Sequence, residues 1–376
     1  MSRLKVLVLA PAAGAFGGVN SFAEMLCERL ARQHEVHRIG VGRDQSHLPA
    51  PVRMVRDLWR LLAQVRRVRP DVVLLNPSFN KAIVREAISL TLMRLVHRGT
   101  FVVFNHGWGT TLPNRIDAST GLQRLARALF GAADRIFVLG QERRDILLRW
   151  GFSDQQVRAA TTMYDPSPLV GVQRSRNPAG GTGSVRLLFL SRLAPGKGAN
   201  ELIDAFVQLR QRHVGLELVC AGDGPEHGVL LALARERGLE ASLTLPGFVA
   251  GSAKAQALLD ADIFVLPTQL NEGFPVSLLE AMGAGLPIVA SGVGGVVDLF
   301  GMGAQGHMLA PRPTATEIAA ALDTLIRDPA RVAAAGAANR QLALRRFTAD
   351  AWCADFAEEL MTLVDHRRSR ADLPVT

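Results

Sequence analysis

The chain has 376 residues and a mass of 40.5 kDa, enough for two domains, and its 48% hydrophobic and 20% charged residues exclude a disordered protein. The net charge is +9, and residues 1–170 hold the whole basic excess, with 24 basic and 13 acidic side chains that favour polyanionic partners. Three scattered cysteines, Cys27, Cys220 and Cys353, exclude a disulfide framework, and no apolar run of 18 residues predicts a membrane span.

The first half alternates short β-rich runs with amphipathic helices. Strands are predicted at residues 5–9, 36–41, 71–75, 100–104 and 135–139, and helices at 18–33, 52–68, 81–96 and 122–130. This alternation predicts a parallel sheet covered on both faces. The apolar run at the N-terminus is too short before Pro11 for a signal peptide, so we expect a cytoplasmic protein.

A proline- and glycine-rich segment then separates two domains, predicted at residues 1–168 and 185–346 with a linker at 169–184. A second alternation follows, with strands at 186–190, 216–221, 242–245, 263–266 and 287–290 and helices at 199–212, 227–237, 254–259, 276–282, 316–327 and 329–344. Ligands of such sheets bind at the carboxyl ends of the strands, which predicts a site in a cleft between two facing sheets.

Two glycine-containing turns and one acidic segment are candidates for ligand binding. In the first turn, Gly17-Gly18 opens a helix whose free N–H groups suit an anion, although ordinary strand–helix turns look similar. After the sixth predicted strand, Arg192 and Lys197 lie in a loop with glycines, where they can contact phosphate oxygens. The tight turn at residues 222–225 is read mainly as structural.

The segment 266–283 is the most informative. It leaves a buried strand, crosses a loop that contains Glu272 and opens a helix that contains Glu280. Carboxylates accept paired hydroxyl hydrogen bonds, the recognition that a sugar or a ribose needs. The apolar neighbours of Glu280 disfavour a solvent-facing helix glutamate.

These motifs resemble the GT-B glycosyltransferases, specifically the retaining family 4 that uses nucleotide-sugar donors. The resemblance covers nearly the full chain and depends above all on residues 272–290. It implies two facing Rossmann-like doubly wound α/β domains and a C-terminal helix, residues 347–366, that crosses back onto the first domain.

The resemblance also implies site residues. Four are assigned to catalysis: Glu272, Arg192, Lys197 and His106. Seven are assigned to donor binding: Gly17, Gly18, Gly273, Phe274, Pro275, Val276 and Glu280. Arg192, Lys197 and the first-turn N–H groups stabilise the leaving diphosphate, Glu280 binds the ribose, and Glu272 binds the donor sugar. His106 lies beside the reacting sugar, but a purely structural histidine at a strand end is an equal alternative.

Two features depart from the family pattern or compete with it. Asp298 stands where the family often has glutamate, which leaves its nucleotide contact open. Asp260 and Asp262 form a D-x-D string that binds a metal in another glycosyltransferase fold, but here it precedes a strand instead of leaving it. We therefore expect no metal and no cofactor besides the nucleotide-sugar substrate.

The acceptor side is less clearly encoded. Residues 52–69 combine six arginines with apolar residues, a pattern that suits an anionic membrane surface, although a buried helix with a basic solvent face gives the same pattern. A glycan or lipid-linked acceptor and association with the inner face of the cell membrane are expected from this helix and from the resemblance. Nucleic acid is not expected, because no basic–aromatic stripe is present.

The predicted function is retaining transfer of a sugar to such an acceptor in cell-surface polysaccharide or glycolipid biosynthesis. Two alternatives stay open from the residues: a nucleotide-sugar epimerase of the same architecture, and a non-catalytic protein that binds nucleotide sugars. A dinucleotide oxidoreductase is disfavoured, because the glycine turns lack the G-x-G-x-x-G spacing with a following acid.

Overall fold

Two parallel six-stranded sheets, each flanked by helices, account for most of the described chain. The computed structural model describes residues 3–11, 18–41, 50–79, 83–109, 111–173 and 184–371. It divides into unit 1, which is Met1–Thr162 with Ala349–Thr376, and unit 2, which is Met163–Thr348. The predicted doubly wound α/β architecture is confirmed.

Unit 1 contains eight strands and seven helices among its described residues. The strands are β1 (Lys5–Ala10), β2 (Glu35–Gly40), β3 (Val72–Leu75), β4 (Ser78–Phe79), β5 (Thr100–Asn105), β6 (Gly107–Trp108), β7 (Arg135–Leu139) and β8 (Val157–Ala160). The helices are α1 (Gly18–Leu30), α2 (Ala50–Val68), α3 (Ile83–Val96), α4 (Thr111–Asp117), α5 (Thr120–Phe130), α6 (Gln141–Arg149) and the C-terminal α14 (Ala349–Ala371).

The main sheet of unit 1 has the order β2-β1-β3-β5-β7-β8, and every pair is parallel. Its central strands are continuous apolar runs because helices cover both faces; all four residues of β3 are buried. All carboxyl ends lie at one edge, where the ends of β3 and β5 place Asn76 and His106.

Unit 2 contains six strands and seven α-helices among its described residues. The strands are β9 (Arg186–Leu190), β10 (Glu217–Ala221), β11 (Leu243–Gly247), β12 (Ile263–Leu266), β13 (Ile288–Ser291) and β14 (Gly306–Leu309). The helices are α7 (Ala199–Arg210), α8 (His227–Glu236), α9 (Gly251–Asp260), α10 (Val276–Gly283), α11 (Gly295–Gly301), α12 (Ala315–Ile326) and α13 (Pro329–Arg346).

The sheet of unit 2 has the order β11-β10-β9-β12-β13-β14, which is the order of the dinucleotide-binding fold. Successive strands are added on one side of β9 up to β11 and on the other side from β12 onward, so the switch point lies between β9 and β12. Connections from these two strands leave in opposite directions, and in open α/β sheets ligands bind at such a switch point. The loop after β9 contains Arg192 and Lys197, and the loop after β12 contains Glu272.

Several short elements were not predicted. They are β4, β6, α4, α6, β8, α11 and β14. Helix α6 has the polar sequence QERRDILLR, in which apolar periodicity is too weak to detect. The predicted helix at residues 81–96 begins at Ile83 in the structure, and Lys81 lies outside the described residues.

Helix α14 is part of unit 1, although its sequence follows unit 2. The Trp352 ring packs against the rings of Phe22 in α1 and Phe104 in β5, with distances between ring centroids of 5.2 Å and 5.7 Å. Asp350 accepts a hydrogen bond of 2.7 Å from Arg32. Across the described ranges, no helix combines the length and the apolar character needed to cross a membrane.

Candidate functional site

The loop after β9 is held against the loop after β12 by close backbone contacts. Gly198 has a φ of +85°, and a Cβ there would lie 2.1 Å from the Pro267 carbonyl oxygen, so only glycine fits. The Gln269 N–H donates to the Gly196 carbonyl at 2.7 Å. Lys197, between these glycines, is therefore fixed relative to the residues that follow β12.

Lys197 and Glu272 form an ion pair in this arrangement. The distance between Lys197 Nζ and Glu272 Oε1 is 2.6 Å, and the Thr268 hydroxyl donates to the same oxygen at 3.0 Å. The two charged side chains are only 19% and 16% exposed. The structure thus brings together two residues that the sequence assigned to one site.

Arg192 lies earlier on the same loop, and its side chain is exposed. The neighbouring Leu193 is fully buried, and its N–H donates to the Asp223 carbonyl at 2.9 Å. A Cβ at Gly222 or Gly224 would lie 1.9 Å and 2.2 Å from carbonyl oxygens of this loop. The turn at residues 222–225 therefore shapes the backbone beneath Arg192, in agreement with its structural interpretation.

Two glycines after β13 hold the segment that follows Glu272. A Cβ at Gly294, whose φ is +50°, would lie 1.9 Å from the Glu272 carbonyl oxygen. A Cβ at Gly295 would lie 1.9 Å from the Gly273 carbonyl oxygen and 2.4 Å from the buried Phe274 ring. The backbone of the predicted donor-binding segment is thus packed against the turn between β13 and α11, and this role of the two glycines was missed by the sequence reasoning.

The remaining residues of that segment start helix α10. Pro275 is the N-cap residue with an extended ψ of 116°, and Val276 is the first helical residue. Within the first turn the Leu278 N–H donates to the Pro275 carbonyl at 3.0 Å, whereas the first N–H groups of a helix, here those of Val276 and Ser277, have no intrahelical acceptor. Helix α10 therefore begins with N–H groups that suit an anion.

Glu280, in the second turn of α10, pairs with a residue that the sequence reasoning did not assign. Lys254 Nζ of α9 lies 2.5 Å from Glu280 Oε1, and the two side chains are 27% and 13% exposed. Burial raises the pKa of Glu280, and the Lys254 ammonium opposes that rise in pKa. Lysine is rare in this arginine-rich chain, which was a sequence signal that could have identified Lys254.

Tyr164, the sole tyrosine of the chain, packs beside the end of α10. It is 1% exposed, and a Cβ at Gly283 would lie 2.4 Å from its hydroxyl oxygen. Its hydroxyl has no hydrogen-bond partner among the described residues, and burial raises the pKa of Tyr164 to about 12. The phenol is therefore neutral and contributes no charge near Glu280.

His106 of unit 1 is fixed by uncharged partners. Its Nε2 lies 3.0 Å from Asn76 Oδ1, and its ring packs against Phe22 and Phe104 at 4.4 Å and 4.6 Å. Asn76 Nδ2 donates to the Leu9 carbonyl at 3.0 Å, which turns Oδ1 toward the histidine. His106 Nε2 must then carry the proton, and Nδ1 is left as an acceptor.

The charge of His106 follows from its burial. Desolvation lowers the pKa of His106 to about 3, so the imidazole is neutral at pH 7. A ring of such low pKa is a weak proton acceptor near neutral pH but a good hydrogen-bond partner. The neighbouring Asn105 is 1% exposed, and neither of its side-chain polar atoms has a partner in the described part of the chain.

The predicted first-turn contacts are described only in part. Gly17 lies outside the described residues, and Gly18 is the exposed first residue of α1. A Cβ at Gly18 would meet no described atom within 4 Å, so the protein's own packing does not require glycine there.

The remaining acidic candidates have structural contacts. Asp262 is 4% exposed, and its Oδ2 accepts the Arg186 N–H at 2.8 Å where β9 begins. Asp260 is also buried, at the end of α9. This string therefore lies at the amino ends of the strands, away from Lys197. Asp298 lies in the first turn of α11. The described residues contain no group of three or more His, Cys, Asp or Glu placed to hold a metal ion.

Two protein-family models match the chain. One, described as Glycosyltransferase Family 4, matches residues 16–167, and the other, described as Glycosyl transferases group 1, matches residues 175–342. Together the two models cover most of both units.

Curated relatives are similar over part of their length. The glycogen synthase of Mycobacterium tuberculosis is 34% identical over 169 residues, which is 45% of this chain and 39% of that protein. The GDP-mannose-dependent alpha-(1-6)-phosphatidylinositol monomannoside mannosyltransferase of the same species is 30% identical over 207 residues, 53% of each chain. The chain thus spans about half, or less, of the length of these relatives.

Solved structures share the fold over nearly the whole chain. HepE from Anabaena, in complex with UDP and glucose, has a TM-score of 0.71 and 20% identity, over 96% of this chain and 100% of that chain. Sucrose-phosphate synthase from Thermosynechococcus elongatus has a TM-score of 0.74 and 18% identity, over 97% and 100%. At these identities the similarity is one of fold.

Proposed function

The chain belongs to glycosyltransferase family 4 of the GT-B fold, and we propose that it is a retaining glycosyltransferase that uses a nucleotide-diphosphate-sugar donor. The proposed acceptor is a glycan or a lipid-linked sugar in cell-surface polysaccharide or glycolipid biosynthesis. The observation that carries the proposal is the ion pair between Lys197 and Glu272 at the switch point of the unit 2 sheet.

Arg192 and Lys197 are proposed to bind the donor diphosphate. Breaking the bond between sugar and phosphate leaves negative charge on the diphosphate, and cations placed in advance stabilise that charge most in the transition state. Lys197 is held by Glu272 on a backbone that glycines and hydrogen bonds fix, so little reorganisation is needed when charge develops. Arg192, exposed on the same loop, provides a guanidinium that can contact two phosphate oxygens.

Glu272 and Glu280 are proposed to bind hydroxyl groups of the donor. Each carboxylate has one oxygen, Oε1, in contact with a lysine, and Oε2 is the second acceptor for a hydroxyl. Gly273, Phe274, Pro275 and Val276 are proposed to surround the donor sugar with their backbone, next to the N–H groups that open α10.

His106 is proposed to bind the reacting sugar as a neutral hydrogen-bond partner. Its pKa of about 3 argues against a general base at neutral pH, and a base on the far face of the sugar would give inversion. Retention by front-face attack, in which a leaving phosphate oxygen takes the acceptor proton, needs no side-chain base. The neutral histidine therefore supports the retaining mechanism.

No metal ion is part of the proposed mechanism. Arg192 and Lys197 supply the positive charge that the leaving diphosphate requires. Asp262, the second acid of the D-x-D string, already accepts a backbone N–H at the opposite end of the strands. Gly17 and Gly18 are proposed to add backbone N–H groups from unit 1.

A nucleotide panel tests the donor assignment. UDP, GDP, ADP and their common sugars are added to the protein, and thermal unfolding is recorded, because a ligand of the native state raises the apparent stability. We expect one base and one sugar to stand out. The panel includes UDP-glucose and GDP-mannose, which the names of the relatives suggest.

Product analysis then separates transfer from the alternatives. The preferred donor is incubated with and without lipid-linked and glycan acceptors, and the anomeric configuration of the product is read by NMR. Retained configuration supports the proposal, and inverted configuration contradicts it. A changed donor sugar without acceptor indicates an epimerase, and binding without turnover on any acceptor indicates a non-catalytic protein.

Contact with an anionic membrane at the inner face of the cell membrane is proposed through helix α2. Leu61 and Val65 bury one face of this helix, whereas Val52, Val55 and Trp59 are 51%, 54% and 69% exposed on the other. These exposed positions share one helical face, and three exposed arginines adjoin it: Arg60, Arg66 and Arg67. The outward face is thus apolar and basic, as an interfacial helix requires.

Vesicle co-sedimentation tests this contact. We expect binding to phosphatidylglycerol vesicles and weak binding to phosphatidylcholine vesicles. Changing Val55 and Trp59 to serine should weaken binding to the anionic vesicles by about tenfold or more, because two apolar side chains of this size are worth over 1.4 kcal/mol when buried. The control is Leu125→Ser on α5, which removes an apolar side chain about as exposed as Val55. Equal binding by both variants would exclude α2 as the contact.

A further inference from the structure

A large basic groove lies at the amino edge of the unit 1 sheet, away from His106. Its walls come from the residues before β3, β5, β7 and β8 and from the last turns of α14, and its volume is about 800 Å³. Strand β5 begins at this groove and ends next to His106, so about 17 Å separates the two. The groove is therefore distinct from the proposed transfer site.

The groove is lined by many cations and few acids. It contains five arginines and two histidines against two aspartates: Arg69, Arg98, Arg135, Arg367, Arg368, His97, His366, Asp71 and Asp134. A volume of this size accommodates a small organic ligand, and guanidinium groups match the geometry of phosphate oxygens.

The two aspartates are already used to hold the wall in place. Asp71 accepts the Lys5 N–H at 2.9 Å and Arg368 at 2.8 Å. Asp134 accepts the Phe101 N–H at 2.8 Å and also contacts Arg94 and Arg367. These carboxylates orient guanidinium groups, and the exposed Arg69 and Arg98 add charge that neither aspartate contacts.

Arg69 occupies a strained backbone position. It has a φ of +48°, the one positive φ of a non-glycine residue in the described ranges. The residue caps the end of α2, where its N–H donates to the Val65 carbonyl at 2.9 Å, and glycine is the usual residue at such a cap. Strain of this kind is typical of functional positions, and here it places an arginine at the groove.

The floor of the groove is closely packed. His97 Nε2 lies 2.7 Å from the Pro70 carbonyl oxygen, so it carries the proton and Nδ1 is left as an acceptor. A Cβ at Gly99 would lie 2.4 Å from His97 Nε2 and 2.7 Å from the Pro70 oxygen. Glycine at 99 thus allows the histidine to lie against the floor.

We propose that this groove binds a phosphate-bearing ligand. The charge, the volume, the oriented guanidinium groups and the strained Arg69 all favour an anion with several acceptor oxygens. The phosphate can belong to a soluble metabolite or to the headgroup of an anionic lipid, which present the same oxygens.

Calorimetric titration with inorganic pyrophosphate tests the proposal. The 376-residue protein carries Arg192→Ala and Lys197→Ala, which disable the proposed donor site, so any remaining binding is independent of the transferase assignment. We expect one pyrophosphate per chain, with an affinity that falls as salt is raised. Adding Arg69→Gly and Arg98→Ala should weaken that binding at least tenfold.

The choice of variants guards against unfolding. Glycine adopts the φ of residue 69 without strain, so Arg69→Gly is expected to keep or raise the thermal midpoint. The matched control changes Arg115 and Arg124 to alanine, which removes two exposed arginines of unit 1 outside the groove and should leave binding unchanged.

Phosphatidylglycerol vesicles form the second arm. Pyrophosphate binding that the groove variant loses, with vesicle binding unchanged, identifies a soluble phosphate ligand. Vesicle binding that the groove variant loses identifies a lipid headgroup. If neither probe binds through Arg69 and Arg98, or if the control variant loses binding equally, the proposal is wrong.

Discussion

Unit 1 and unit 2 present different chemistry at the carboxyl ends of their strands. In unit 2 the candidate residues form two ion pairs, Lys197 with Glu272 and Lys254 with Glu280. In unit 1 the candidate His106 is neutral and is held by the amide of Asn76 and by aromatic rings. The difference matches the two tasks proposed for these sites: charge is needed where a diphosphate is proposed to bind, and uncharged hydrogen bonds are sufficient where a sugar hydroxyl is proposed to bind.

The way in which each site is held also differs. Unit 2 uses glycines whose positions leave no room for a Cβ, so its loops are fixed by the backbone. Unit 1 fixes His106 through side-chain contacts in a buried aromatic cluster. We therefore expect substitutions in unit 2 to change the charge of the site or the conformation of its backbone. Substitutions in unit 1 should change the packing around His106 and the pH dependence of stability.

The largest expected effect is on the rate of transfer. Lys197→Ala should lower kcat/KM by about 10²–10³, because one preorganised donor to the developing charge is lost. Arg235→Ala, an exposed arginine on α8, should leave the rate unchanged. Steady-state kinetics with the preferred donor measure both, and a Lys197→Ala enzyme of normal rate would remove the lysine from the mechanism.

A backbone test in unit 2 comes next. Gly294→Ala should lower the free energy of unfolding by about 2–4 kcal/mol, since the φ is positive and the new Cβ would meet the Glu272 carbonyl. Gly301→Ala on α11, where a Cβ meets nothing within 4 Å, is the matched control. Urea unfolding of both variants decides, and equal stability would show that the contact is not restrictive.

The Lys254–Glu280 pair predicts a smaller loss. Lys254→Met leaves the Glu280 carboxylate buried without a positive partner. This should raise the pKa of Glu280 further and destabilise the protein by about 2 kcal/mol at pH 7. A raised carboxyl pKa means that the folded state binds more protons than the unfolded state, so stability falls as pH rises above about 4.5. Thermal midpoints between pH 4.5 and 7.5 should show this slope, and Glu280→Gln in the same background should abolish it. A Lys254→Met protein with an unchanged slope would contradict the assignment.

The smallest expected effect is on how the free energy of unfolding changes with pH, through His106 of unit 1. The pKa of His106 is lowered to about 3 in the folded state. When the pH falls below the ordinary pKa of 6.5, the unfolded state therefore binds a proton at this histidine and the folded state does not, so acid lowers the stability. His106→Gln, which can keep a hydrogen bond to Asn76, should therefore gain about 1 kcal/mol relative to the parent on going from pH 8 to pH 6. Equal pH dependence of parent and His106→Gln would mean that the histidine titrates normally.

Strand positions and the unit 2 motif residues were readable from the sequence because both are local. Buried parallel strands are continuous apolar runs, as in β3, and this pattern survives without knowledge of the fold. Lys197 and Glu272 were assigned to one site through the family resemblance, and the structure brings them to 2.6 Å. Short polar helices such as α6 were missed, because their stability comes from packing and not from their own pattern.

The residues that Lys254, Gly294 and Asn76 contact could not be predicted, since each contact joins positions far apart in the sequence. Lys254 meets Glu280 only because the fold brings the Lys254 side chain of α9 to α10, and Gly294 meets Glu272 only because β13 pairs with β12. The same holds for the groove around Arg69, whose walls come from separate connections and from the C-terminal helix. The sequence by itself determined the two doubly wound sheets, because hydrophobic periodicity is a local property of the chain. Only the tertiary structure decided which charges pair and which histidine is neutral, because pairing and desolvation depend on neighbours that the fold brings together.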